Sequence, residues 1–154
     1  MAKKTHFRLP YEAEYRVAGV FCPEKDYRLC WLINNYLKVN FSRRSDISLP
    51  NGKDAGLIEQ YAVYYHEKEE LQQAFFLVSN RSHNGHLLFH SPPQLDFLML
   101  IDADDRRFDF NGLLKKIRTI PHVTAAYMLD DVLGRNRDIF LYDFEMFIAG
   151  ELKS

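Results

Sequence analysis

Apolar and polar residues alternate from Phe7 to Val17. Phe7, Leu9, Tyr11, Ala13, Tyr15 and Val17 fall on one side, and Arg8, Glu12, Glu14 and Arg16 on the other. A period of two is the strand period. Pro10 has no N–H for a ladder, so the pattern predicts a half-buried strand interrupted at a sheet edge. "VAGVF" continues it as a denser apolar run suited to burial on both faces. The period then changes. In "CPEKDYRLCWLINNYLKVNF", Tyr27, Cys30, Trp31, Ile33 and Leu37 recur at three and four residues. That predicts a helix over about 24–38, lying across a sheet. Pro23 fits its first position, and Glu24 and Asp26 suit the positive end of its dipole.

"SRRSDISLPNGKDAG" is polar and turn-rich, which predicts a loop around residues 43–56. "LIEQYAVYYHE" alternates again, "KEE" supplies a charged turn and "LQQAFFLVSN" returns, the pattern of a hairpin. Asn84-Gly85 suits a type I′ turn, whose two central residues need positive φ, and makes "HLLFH" the next short strand. Pro92-Pro93 read as a turn, and "LDFLMLI" as a central strand. Beyond it, Phe110, Leu113, Leu114, Ile117 and Ile120 share one helical face, and Pro121 ends that helix. "HVTAAYML" is a strand again, so residues 95–129 form a βαβ unit with a right-handed crossover. From about residue 131 the C-terminal tail carries Phe140, Tyr142, Phe144 and Phe147. That pattern leaves strand, helix and docked tail open. Strands outnumber helices and hairpins dominate. The expectation is a single α+β domain, mostly antiparallel, with two main helices packed on one face.

Composition narrows the picture. With 154 residues, 47% of them hydrophobic, the chain buries roughly 70% of its unfolded surface and needs no staples. A net charge of −1 gives no overall attraction to nucleic acid or anionic membrane. Cys22 and Cys30 are too few for a disulfide framework or a metal site, and read as buried free thiols. No signal peptide and no membrane-length apolar run appears, so a cytoplasmic protein is expected.

"EKDYRLCWLINNYL", "FFLVSNRSHNG" and "FHSPPQLDFLMLI" together resemble the bacterial IPExxxVDY family, over about residues 7–130. The naming motif falls on Phe89-His90-Ser91 and then, after three positions, on Leu95-Asp96-Phe97. The second half matches by chemical type. The first does not, and the family's glutamate has no counterpart here. The resemblance implies a small bacterial intracellular protein and supplies no catalytic residues.

Four constellations remain. "LMLIDADD" ends a strand in Asp102, Asp104 and Asp105, superficially like the Asp-x-Asp of haloacid dehalogenase-like phosphatases. Arg106-Arg107 follow in place of small hydroxyl residues, and too little chain remains for that fold. The acids are therefore expected to open the next helix, with weak cation binding and metal-assisted hydrolysis as minor readings. His83, His86 and His90 suggest a ligand spacing. On a strand, however, His86 and His90 would lie ~13 Å apart, beyond one Zn²⁺. Lys115, Lys116 and Arg118 lie opposite an apolar stripe. With Tyr64, Tyr65 and Phe75 they offer a nucleic-acid surface of phosphate contacts beside stacking rings. Asp26, Arg28, Trp31 and Asp96 form the last group. Asp96 heads a core strand and is expected either exposed or paired with a basic group, Arg28 being one option.

No phosphate loop, GxSxG elbow or HExxH occurs. The leading expectation is a non-enzymatic domain without cofactor or metal. Its role is binding a protein partner or a second copy of itself, on the strength of many aromatics and no clustered catalytic groups. The alternative is RNA or single-stranded nucleic-acid binding.

Overall fold

The computed structural model describes residues 14–52 and 56–153, the last three by backbone alone. Predicted strand residues 7–13 lie outside the described residues. Within them, six strands build one antiparallel sheet: β1 (Arg16–Phe21), β2 (Ser42–Pro50), β3 (Ile58–Lys68), β4 (Gln73–Ser79), β5 (Phe97–Asp102) and β6 (Ala125–Met128). Their spatial order is β2-β3-β4-β5-β1-β6. Four helices accompany them: α1 (Asp26–Leu37), α2 (Phe110–Arg118), the single turn α3 (Asp130–Leu133) and α4 (Arg135–Lys153). The fold is α+β, as the periodicities predict.

The β5–α2–β6 unit places two parallel strands on either side of β1, each antiparallel to it. The β3–β4 hairpin closes through a 3₁₀ turn at Glu69–Leu71, with Gln72 in the left-handed region. Its "KEE" was legible as a turn. Two apolar layers flank the sheet. One joins α1 and α2 to Ala18, Val20, Leu77, Phe97 and Met99. The other joins α4 and the 80–96 connection to Val17, Val63, Phe76, Leu98 and Leu100. Thus α1 and α2 share a face as predicted, and the tail left open by the sequence is the helix that closes the opposite face. β5 is the centre: Leu98 and Leu100 point to one layer and Met99 and Ile101 to the other, all essentially without exposure.

Four expectations need correcting. The segment around 43–56 is not simply a loop; it holds edge strand β2. Its residues 42–45 are exposed and charged or small, so no burial period shows in the sequence, and Ile47 alone is fully buried. "HLLFH" is not a strand but a single bridge, Arg81 to Leu87, beside a tight turn at Gly85. Buried Asn80 replaces the strand pairing there. Its side chain donates to the Phe89 and Leu95 carbonyls (both 2.9 Å) and accepts from the Phe89 N–H (2.8 Å). Pro23 lies ahead of α1, which begins at Asp26. Finally, the cap of α2 is Asp109, whose carboxylate accepts the Gly112 N–H at 2.9 Å. Asp102, Asp104 and Asp105 sit too far upstream to serve.

Candidate functional site

The acid turn is built from local bonds and ion pairs. Asp104 accepts the Arg106 N–H at 3.0 Å and lies 3.8 Å from Arg107. Asp105 meets Arg16 at 3.4 Å. Among the described residues, no three His, Cys, Asp or Glu side chains converge in a way that would hold a metal ion. The same Arg16 reaches Asp130 (3.1 Å), which also takes Arg137 (2.6 Å) and the Val17 N–H (3.2 Å). One carboxylate thereby ties β1, α3 and α4 together.

The histidine geometry differs from its strand-based extrapolation. His86 and His90 stand with ring centroids 6.1 Å apart, because residues 80–96 wrap around Asn80 instead of extending. His83 turns away to Asp46 at 2.8 Å. Burial pushes the Asp46 carboxyl upward, but hydrogen bonds from His83 and Arg43 outweigh it and hold it below the usual range.

The basic and aromatic residues are not brought together into one surface. Lys115 and Lys116 are exposed on α2, whereas Arg118 donates to the Ala126 carbonyl of β6 at 2.9 Å. Tyr64 and Phe75 are buried beneath α1 and α2, and Tyr65 packs on the other face against Phe76. Stacking of bases on Tyr64 would require opening the core.

Asp26, Arg28, Trp31 and Asp96 likewise serve separately. Asp26 accepts the Tyr64 hydroxyl at 2.6 Å, tying α1 to β3. The Arg28 guanidinium lies 5.3 Å over the Trp31 ring on the outer face of α1. Asp96 accepts the Cys22 N–H at 2.7 Å. Its partner is thus a backbone amide, with no hydrogen bond to a basic side chain among the described residues. Burial raises its carboxyl, and the Cys22 amide and the charge of Arg81 oppose that. Cys22 and Cys30 are free and buried, and burial raises both thiols, Cys30 to about 11, which disfavours the thiolate.

A buried acid that no motif singled out is Glu59. Ser82 (2.7 Å), Asn51 (2.8 Å) and Asn84 (3.3 Å) all donate to it. These bonds, the Ser82 hydroxyl first, hold its carboxyl below the usual range. A depressed carboxyl adds stability that is complete above its unfolded value, about 4.3, and is lost as pH falls through the folded value. Denaturant unfolding at stepped pH should therefore show an acid limb beginning near pH ~4.3. Glu59→Gln should be less stable at neutral pH and show a shallower limb. Parallel limbs for the two proteins would contradict the assignment.

The exposed surface with the clearest pattern lies on α4. Phe140, Leu141 and Phe144 face the core. On the opposite side Ile139, Tyr142 and Met146 are 57, 66 and 53% exposed. Their spacing of three then four, continued by half-buried Ala149, is that of a helix–helix seam. Exposed Val132 on α3 lies just upstream in the chain. Exposed Asp138 and Asp143 lie to either side of the seam. A helix apolar on two opposite faces normally has neighbours on both. Tyr142 stood out in the sequence as one of several aromatics, whereas Ile139 and Met146 did not. Their signal was the second 3-4 repeat, offset from the first.

Among the described residues no helix is long and apolar enough to cross a membrane. Comparison of the chain with family models, with curated proteins and with solved structures finds no match.

Proposed function

We propose that this chain is a non-enzymatic interaction module that pairs with a second copy of itself through the outer face of α4. The observation that supports this reading most is the Ile139–Tyr142–Met146 seam, aimed away from a core that α4 already completes. In an antiparallel pair, Ile139 of one copy meets Met146 of the other, and the two Tyr142 rings cross near the two-fold axis. A self-complementary patch of this kind closes at two copies. Three exposed side chains are few beside the roughly 20–30 residues a side of a standard stable interface, so a weak dimer, populated at high concentration, is expected. Membership of the IPExxxVDY family and a cytoplasmic setting belong to the same proposal. Two free thiols fit a reducing compartment.

Sedimentation velocity over a wide concentration range tests it. The expected result is a concentration-dependent shift from monomer to dimer, abolished by Tyr142→Glu. That substitution, at an exposed site, changes stability by no more than ~0.5 kcal/mol. A monomer at every concentration, or a dimer indifferent to Tyr142→Glu, would overturn the proposal.

A further inference from the structure

On the opposite face of the sheet, the C-terminal end of α1 and the start of α2 flank an opening. Between them a pocket of about 230 Å³ opens onto the sheet. Phe75 and Met99, both buried, form its floor, and Leu37 and Leu113 stand on its two sides. Charge gathers around this apolar body. Lys68 and Lys116 both line the pocket, and neither forms an ion pair among the described residues. The carboxylate of Asp109 also lies there, but it is engaged by the Gly112 N–H as the cap of α2. The balance is one net positive charge over a hydrocarbon floor.

His66 adds a second, independent observation. Its ring lies against Phe41 (5.4 Å) and Phe75 (5.8 Å) in the pocket wall. Nδ1 accepts the Asn40 N–H at 3.3 Å, so the neutral ring carries its proton on Nε2. Burial holds the ring below its ordinary value. Nε2 is buried and has no partner among the described residues. Unmet buried donors are rare in native proteins.

We propose that this pocket binds a small aromatic carboxylate, its ring over Phe75 and Met99 and its acid group held by Lys68 and Lys116. A cavity of about 150 Å³ holds benzene, so this larger one takes a ring plus a short acid arm, about ten heavy atoms. The site is independent of the α4 seam, and its failure would leave that reading untouched.

Phenylacetate is the probe. The assay is the ¹H–¹³C methyl spectrum of Met99 and Leu113 during titration. Phenethylamine supplies the same ring with the opposite charge, and acetate supplies the acid without the ring. The expected result is a saturable shift with phenylacetate and at least about fivefold weaker binding of each control, the size of one lost rim ion pair or more. Lys116→Gln, at an exposed position, should weaken phenylacetate by a similar factor while the melting temperature stays unchanged. Absence of a saturable shift, equal binding of phenethylamine, or indifference to Lys116→Gln would overturn the proposal.

Discussion

Phe144→Ala should cost about 3–5 kcal/mol of folding stability. Phe144 has no exposure and touches the rings of Phe76 (4.9 Å), Tyr15 (5.8 Å) and Phe140 (5.9 Å). Truncation removes the ring's burial and leaves a cavity between α4 and the sheet that neighbouring aromatics refill only in part. In a chain of this length each kcal/mol lowers the melting temperature by roughly 2–4 °C, so a drop of about 10 °C is expected. Tyr142→Ala is the matched control on the same helix. Being exposed, it should stay within ~0.5 kcal/mol. A loss below about 1 kcal/mol for Phe144→Ala would mean that α4 is a loosely docked appendage and not the lid of the second core layer.

The second large effect is expected at Asn80. Asn80→Ala removes three hydrogen bonds at once and strands the Phe89 N–H and the Phe89 and Leu95 carbonyls in the interior. Each orphaned buried group costs about 1–3 kcal/mol, so a total near 3 kcal/mol or more is expected. Asn80→Asp gives a sharper diagnosis. It keeps the acceptor for Phe89 N–H but aims a second carboxylate oxygen at two carbonyls. Protonation would restore one of the two missing donors. The folded-state value of such a carboxyl is raised, so its deficit should be largest at neutral pH and shrink as pH falls through that raised value. Urea titrations of the two variants at neutral and mildly acid pH decide the matter. A deficit in Asn80→Asp that is independent of pH would remove Asn80 as the organiser of the 80–96 connection.

The elements that are legible share one property: each carries a single, uninterrupted apolar signal. α2 shows one apolar stripe, α1 buries Leu29, Cys30, Leu32 and Ile33 while Tyr27 and Trp31 of its periodic set stay exposed, and β5 is an unbroken apolar run buried on both faces. What the sequence concealed follows from the same rule. α4 has apolar residues on two faces, so the inner set (140, 141, 144) and the outer set (139, 142, 146) overlap and blur any period. β2 is an edge strand exposed over its first four residues, and it resembles a loop in composition. The 80–96 connection is ordered by one amide side chain, and no local pattern announces which Asn will be buried. The same holds for Asp96, whose acceptor role toward Cys22 spans 74 residues. The candidate seam was hidden because the feature that makes it a seam also erased the helix signal.

The two rims of the sheet bear on how copies of this chain can meet. β6 is four residues long, and β2 carries Arg43, Arg44 and Asp46 with an irregular register between Arg44 and Ile47. A short border on one side and a charged, kinked one on the other discourage strand-to-strand joining of neighbouring molecules. Growth into open-ended ribbons is blocked at both margins. A crowded solution of this chain should accordingly stay clear and free of fibrils.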